Sequence, residues 1–418
     1  MTRVVAAILA AVLALTLGAA SASATVATPR LIPTGPSYFG VHDDRVGYGR
    51  WPRVPTGVIS AVRLWDTGTT WRDVNPSDGV FDWDVLDLAV ENARSHGASV
   101  LLVLGSTPQW AAKYPFSYVG GAPGFRDGTA SPPVSEVDWV TYVQAVATRY
   151  KGRIGGYETW NEANLTNFWQ GSPTQMARLS SLAYRTIKRV DPAAVVTAPS
   201  ASLRGSGTTW LSHYANAGGF RYADAINVHA YPRPEGTPED AAALIRTVRS
   251  VLAAKGVKKP VWNTEINYGH PIGGIGATYP LTVDQQSAFV SRTYLLGRSD
   301  DVARTYWYDW SALPFLSVQM TKPMSLDNAP PGEAFVVARA WLRGRMAPCT
   351  IDRAGTYRCT VIYPKGRGVV YWNPRRSVTV TTPPYTGYQQ NVYGVTSPSR
   401  AGRKVRVSYS PLLFRTSR

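Results

Sequence analysis

Ala225-Ile226-Asn227-Val228-His229, then Thr237-Pro238-Glu239-Asp240, then Pro260-Val261-Trp262-Asn263-Thr264-Glu265-Ile266 hold one full turn of the architecture. The first and third pieces are short and largely apolar, the pattern of parallel strands buried on both faces. The middle piece opens a helix. Thr237 caps it, Pro238 suits its first turn, and Glu239 and Asp240 favour the positive end of its dipole. Leu244, Ile245, Val248, Val251 and Leu252 then mark one face, and Lys255-Gly256 closes the segment.

The unit recurs along the chain. Tyr38–His42, Ala61–Asp66, Ser99–Leu104, Gly156–Trp160, Val195–Pro199 and Arg304–Tyr308 have the same strand character, which makes eight runs in all. Between them, Ser135 precedes Trp139, Val143, Val146 and Tyr150 at helical steps, and residues 173–190 and 282–298 repeat that pattern. Eight strand–helix units predict an α/β fold, a (β/α)8 TIM barrel rather than an open doubly wound sheet. After Leu342 the pattern changes to short runs, Val369–Asn373, Ser377–Thr382 and Val405–Tyr409, parted by turns at Lys365-Gly366 and Ala401-Gly402. These predict a small antiparallel β domain. The division expected is a leader at 1–24, a catalytic barrel at 25–344 and a basic β-sandwich-like module at 345–418.

The leader follows from the first residues. Arg3 is the only charge before residue 25, Val4–Leu17 is apolar, and Ala22-Ser23-Ala24 ends the stretch. That is the form of a secretory signal peptide cleaved after Ala24. The apolar run is shorter than the roughly 20 residues needed to cross a bilayer, and no later segment is long and apolar enough. A secreted protein, extracellular or in the cell envelope, without a transmembrane segment in its mature chain is expected. Cys349 and Cys359 are the only cysteines. In an oxidising compartment their spacing suits a disulfide across a hairpin, with two free buried thiols as the alternative. No Cys/His cluster has zinc-like spacing and no Gly-rich turn follows a strand, so the reading involves no metal and no organic cofactor.

Charge is unevenly placed. Of the formal +17, residues 345–418 contribute thirteen Lys/Arg against Asp352 alone, a balance of +12. A basic surface of that kind attracts polyanions. For a secreted chain the expected partner is an anionic cell-envelope glycan, not nucleic acid; a merely solvated basic surface is the plainer alternative.

Function in a barrel of this class sits at the C-terminal ends of the strands. The fourth run ends in Tyr157-Glu158-Thr159-Trp160-Asn161-Glu162-Ala163-Asn164, and the seventh in Trp262-Asn263-Thr264-Glu265-Ile266-Asn267. Those two ends can face each other across the mouth. Two facing carboxylates are what glycoside hydrolysis requires, one to protonate the leaving oxygen and one to attack C1 or activate water. Glu158, two residues before Trp160 on the same strand, reads as a polar residue inside the barrel and is the competitor for the catalytic label.

Trp160-Asn161-Glu162 after strand four and Glu265 after strand seven resemble clan A of the retaining glycoside hydrolases. Several further segments carry the likeness: Arg63 in Val62-Arg63-Leu64-Trp65, Trp71-Arg72-Asp73-Val74-Asn75-Pro76 running on to Phe81-Asp82-Trp83, Thr107-Pro108-Gln109-Trp110, and Asn227-Val228-His229-Ala230-Tyr231-Pro232. The likeness is strongest to glycoside hydrolase family 39, xylosidase- and endoglycosidase-like enzymes with a C-terminal β-sandwich, and it runs from about residue 38 to the C-terminus. It implies Glu162 as general acid/base and Glu265 as nucleophile, acting on a polysaccharide or glycoconjugate. On that footing Arg63 and Tyr231 favour the ionised form of Glu265, and a neighbouring carboxylate keeps Glu162 protonated. Asn161 binds a ring hydroxyl beside C1, and His229 holds Glu162 or a sugar hydroxyl. Trp307, with Trp71 and Trp310, offers flat faces for sugar rings. His42 and Asp43 are candidates for the site wall, and the loop Tyr114–Ser131 for its edge. A cell-wall transglycosylase shares all these residues; a non-catalytic carbohydrate-binding barrel or a tethered envelope protein would bind without turnover.

Overall fold

The computed structural model describes residues 30–117, 127–271 and 278–416. The signal-peptide reading therefore lies outside the described residues, as does part of the Tyr114–Ser131 loop. Among the described residues no helix is long and apolar enough to cross a membrane.

Ile32–Pro33 (β1) precedes a parallel sheet of nine strands: β2 Phe39–Val41, β3 Ala61–Leu64, β4 Ser99–Val103, β5 Gly156–Glu158, β6 Val195–Thr197, β7 Ala201–Ser202, β8 Ile226–His229, β9 Val261–Ile266 and β10 Arg304–Trp307. The sheet runs β6-β5-β4-β3-β2-β10-β9-β8-β7. A parallel bridge between Thr197 and Ala225 joins the two ends, so the sheet closes on itself and β6 with β7 forms a single barrel position. All eight sequence-predicted runs are present. Long helices cover the outside: Asp84–Ser95, Glu136–Arg149, Pro173–Val190, Pro238–Ala254, Val283–Ser299 and Pro330–Trp341. Reciprocal capping boxes start three of them, at Ser172/Gln175, Thr237/Asp240 and Thr282/Gln285, each satisfying backbone N–H groups that a helix start leaves without partners.

Side-chain parity along the strands fixes the site. Ala61, Leu101, Ala225, Trp262 and Tyr306 pack together as one small cluster inside the barrel. Alternation then turns Arg63, Asn227 and His229 inward as well. By the same rule Thr264, not Glu265, would follow Trp262 into the interior. The register breaks there: Val228 pairs with Asn263 but His229 with Glu265, and Thr305 pairs with Asn263 but Trp307 with Ile266. One extra residue in β9, a bulge, reverses the parity and swings Glu265 into the mouth.

The C-terminal strands are β11 Arg345–Met346, β12 Thr350–Ile351, β13 Tyr357–Ile362, β14 Arg367–Trp372, β15 Val378–Thr381, β16 Tyr388–Gln390, β17 Thr396–Pro398, β18 Lys404–Val407 and β19 Leu412–Arg415. Most join one antiparallel sheet, β1-β11-β13-β14-β19-β16-β17 with β12 on β13, while β15 and β18 form a separate ribbon. Cys349 and Cys359 are disulfide-bonded across the β12–β13 hairpin. The sheet takes in β1 from ahead of the barrel. It also shares a core with the barrel: Met346, Cys359, Val361, Val370 and Trp372 belong to the same buried cluster as Phe39, Trp307 and Phe335. The Trp372 indole donates to Glu239 at 2.9 Å and Tyr363 donates to the Trp341 carbonyl at 2.7 Å, fixing the two parts together.

Candidate active site

Arg63 is the centre of the barrel mouth. Its guanidinium, fully buried, donates through Nε and Nη2 to both oxygens of Glu158 at 2.8 and 2.7 Å. Nη1 donates to Glu265 Oε1 at 2.6 Å, and Nη2 also reaches Asn161 Oδ1 at 2.8 Å. The planar fork is what lets one cation hold two carboxylates and an amide in fixed positions. Glu158 is 0 % exposed and bound on both oxygens, whereas Glu162 and Glu265 keep 9 % and 6 % exposure. The competitor carboxylate is thus sealed beneath the site, and the other two open into it.

Tyr231 donates to Glu265 Oε2 at 3.0 Å, so each oxygen of Glu265 has one donor. Burial and the neighbouring Glu265 raise the phenol well above its ordinary value, which keeps it a donor. His229 Nδ1 lies 2.9 Å from Glu162 Oε1 and 3.4 Å from Glu265 Oε2. Nδ1 faces two acceptors and must carry hydrogen. A carboxylate oxygen from each glutamate and a His229 nitrogen all lie within 4.8 Å of one another. Glu162 stands on a backbone with φ of 39°, a left-handed conformation for a residue with a side chain. Ser200 holds it there, its hydroxyl accepting from Glu162 N–H and its carbonyl from Ala163 N–H. Strain of this kind persists only where surrounding bonds fix it.

The two carboxyls of the pair meet different surroundings. Burial pushes Glu265 up to about 7, against the pull of His229 and Arg63. Arg63 is already shared with Glu158, which weakens what it can do for a second carboxylate. Burial also opposes ionisation of Glu162, yet the hydrogen bond and field of His229 hold it below its ordinary value. The two carboxyls are thus pushed in opposite directions, Glu265 up and Glu162 down, within a pair close enough to share a proton.

The wall residues divide. His42 Nε2 donates to the Thr264 carbonyl at 2.8 Å. Its 3.4 Å approach to Arg63 Nη1 is then a contact between two donors and not a hydrogen bond. Burial and Arg63 push His42 well below its ordinary value, so it stays neutral and buttresses the bulge. Asp43 is fully buried and paired with Arg45 on both oxygens, so it does not line the mouth. Asp43, Asp44 and Asp309 do converge within 4.8 Å, a second place where carboxylate oxygens could meet a cation.

The tryptophan expectation is corrected. Trp307, Trp71 and Trp310 are fully buried. Trp71 stacks on Tyr142 at 5.2 Å, Trp310 meets Phe335 edge-on at 4.9 Å, and Trp307 packs outside the sheet near Tyr294 and Tyr268. None offers a free face to a sugar. Parity explains Trp307: Tyr306 points into the barrel, so Trp307 points out and Tyr308 returns inward. Tyr308 is the partly exposed ring there, with its hydroxyl on Asp66 at 2.8 Å and its edge against His42. The alternation of Tyr306 and Tyr308 was the available signal. Arg204 was also missed; it lies over the Tyr231 ring at 5.6 Å and donates to the Pro232 carbonyl.

Residues 135–323, which contain both open glutamates, match the family described as glycosyl hydrolase catalytic core. A β-xylosidase of Geobacillus stearothermophilus is 25 % identical over 207 residues, 43 % of this chain; the match spans 40 % of that relative's length. Among solved structures, a family 39 glycoside hydrolase from the gut symbiont Bacteroides cellulosilyticus aligns with a TM-score of 0.68 at 18 % identity, covering 92 % of this chain and 81 % of that one. A monomeric β-xylosidase from Caulobacter crescentus aligns with a TM-score of 0.64 at 14 % identity, covering 93 % and 97 %. Glu162 and Glu265 thus face each other inside the segment that matches a glycosyl hydrolase catalytic core, and the chain has the fold seen in the family 39 glycoside hydrolase structure.

Proposed function

We propose that the protein is a secreted, retaining O-glycoside hydrolase acting on a polysaccharide or glycoconjugate by double displacement. The observation that carries this reading is the closeness of the two open carboxylates, with oxygens within 4.8 Å and His229 between them. Carboxyls about 5–5.5 Å apart leave no room for a water between acid and sugar, so the second must attack C1 itself; inverting pairs stand about 6.5–9.5 Å apart. The β-xylosidase among the relatives makes a β-linked pentoside a first substrate to try.

Each residue then has a step. Arg63 and Tyr231 hold Glu265 so that a carboxylate oxygen can close on C1. As that bond forms, the C1–oxygen bond breaks and the leaving oxygen takes the proton of Glu162. The reactive form needs the shared proton on Glu162. A glycosidic oxygen arriving there accepts a hydrogen bond only from the protonated acid, so binding favours that placement, and His229 lies within reach of both carboxyls. Once Glu265 is an ester it has no charge. Glu162 then takes a proton from water, which attacks C1 and releases Glu265. Asn161, its Oδ1 fixed by Arg63, has its amide N–H groups to donate to a ring hydroxyl. The basic C-terminal module is the second part of the reading: it holds the enzyme on an anionic envelope glycan.

The test is turnover of a panel of aryl α- and β-glycosides by wild type, Glu265→Ala and Glu162→Ala. Glu265→Ala should lose roughly a thousandfold or more in kcat/KM, and Glu162→Ala, which still forms the ester on activated aryl substrates, should lose a comparable factor in kcat. Azide should restore Glu162→Ala on an activated substrate, by attacking the ester that this variant can form but not hydrolyse. If either variant keeps full activity, or wild type binds glycans without cleaving any, the reading fails.

A further inference from the structure

Two groups stand out among the cations of the C-terminal module. One group is used within the protein: Arg415 lies over the Tyr363 ring at 3.8 Å, Arg367 over Tyr385 at 5.2 Å, and Arg358 donates to the Tyr371 hydroxyl at 3.2 Å. The other group gathers on the β15–β18 ribbon. Antiparallel register sets Arg406 opposite Thr379 and Lys404 opposite Thr381. All four are exposed, and a spacing of two residues puts them on one face of the ribbon. The turn beyond Lys404 adds exposed Arg400 and Arg403, and exposed Arg375 stands at the far end.

Among the described residues no carboxylate pairs with the cations of this face, and every ion pair lies before residue 345. The module's single acid, Asp352, turns its carboxylate to the backbone N–H groups of Ala354 and Thr356. Like charges held two residues apart, about 7 Å, repel each other unless something negative comes between them. The face is narrow, and its uncharged members are threonines.

We infer that this face of the ribbon is a binding site for a linear glycan carrying carboxylates along its length. The inference rests on the glycoside hydrolase reading, which makes a glycan the partner to expect, and it assigns the tether to particular residues. Cations spaced two residues apart along a strand, continued by Arg400, Arg403 and Arg375 at its ends, suit a chain with charge at intervals, and threonine hydroxyls can exchange hydrogen bonds with sugar hydroxyls. Single-stranded nucleic acid is held by aromatic platforms beside a basic groove, and this face has no aromatic. Membrane-surface binding adds apolar groups that enter the lipid, and the face has none.

The experiment measures binding of the full chain to immobilised polygalacturonate. The same polymer after carboxyl reduction, duplex DNA and phosphatidylglycerol vesicles serve as the comparisons. Wild type should bind polygalacturonate, release it as salt rises, and ignore the reduced polymer. Lys404→Glu with Arg406→Glu should weaken binding roughly tenfold or more. Lys151→Glu with Lys258→Glu, exposed on the barrel, makes the same change in net charge and should leave binding within about twofold. Equal losses in the two double variants would show a general charge effect and overturn the site. So would tighter binding to DNA or vesicles than to polygalacturonate, or no salt-sensitive binding by wild type. Turnover of aryl glycosides is followed in parallel: polymer binding without any turnover rejects the hydrolase reading and leaves the surface standing.

Discussion

In the barrel, Arg63 is fully buried and its guanidinium reaches two carboxylates and an amide within 2.8 Å; in the β module, Lys404 and Arg406 are exposed and have no acidic partner among the described residues. The same contrast holds more widely. Arg292 and Arg298, on the buried side of the helix Val283–Ser299, are paired with Glu239 and Asp301. In the module, half-exposed Arg415 and exposed Arg367 lie over tyrosine rings instead. A buried charge is tolerated only when paired and hydrogen-bonded, and pairing then fixes geometry. An exposed charge costs little to keep and fixes nothing, so its use lies outside the chain. Charge therefore positions chemistry in one region and is presented to the surroundings in the other.

The strongest way to break this contrast is Arg63→Ala. It strands Glu158 and Glu265 in the interior and removes the partner of Asn161. Loss of one partner of a buried pair costs about 3–5 kcal/mol, read from the denaturant midpoint at pH 7, with activity falling at least as far as for either glutamate variant. Adding Glu158→Gln removes one stranded charge and should recover part of the loss, a non-additive result. A cost below about 1 kcal/mol for Arg63→Ala, the range of a surface pair, would mean that buried and exposed charge are not handled differently here.

Next in size is the pH profile. Glu265, raised to about 7 by burial, loses the pair's remaining proton as pH rises through that value. The reacting site needs one proton, so kcat/KM should fall about tenfold per unit above neutrality. The fold should respond with the same sign. A carboxyl raised on folding contributes stability that is complete below its unfolded value and lost as pH rises through about 7. Glu265→Gln should therefore flatten the stability curve between acid and neutral pH. A wild-type curve already flat across that span would place the shared proton elsewhere.

The fold was legible because buried parallel strands and capped helices write strong local patterns. Thr237-Pro238-Glu239-Asp240 carried its cap in four letters, and the helix it predicts runs Pro238–Ala254. Glu162, Glu265, Arg63, Asn161, His229 and Tyr231 converge because they end or follow inward-facing positions of their strands. What was not legible depended on register. The β9 bulge that turns Glu265 inward has no sequence mark, and Trp307 was misplaced because aromatic size was weighed above strand parity. The opposite pulls on the two carboxyls were also hidden, since they depend on the burial of Glu265 and on His229 bonding Glu162 across the barrel. In the module, Tyr357–Ile362 and Leu412–Arg415 escaped notice as strands, and the shared core with the barrel could not be read from a change of pattern at Leu342.

The smallest expected effect sharpens the comparison inside the module itself. Arg415 and Arg406 are the same residue type in the same basic segment, but Arg415 lies 3.8 Å above the ring of buried Tyr363 while Arg406 stands exposed on the ribbon. Arg415→Ala removes a cation–π contact and the packing of the aliphatic stem, and should cost about 1 kcal/mol. Arg406→Ala removes a solvated side chain from a row of like charges and should stay within about 0.5 kcal/mol of wild type. Relief of repulsion from Lys404 makes a slight gain the expected sign, and added salt should erase that gain because it screens the repulsion. Denaturant melts of the two variants at low and high salt separate these terms. An Arg406→Ala loss as large as that of Arg415→Ala, and insensitive to salt, would show the ribbon cation to be part of the fold, and would remove the reason for assigning it an external partner.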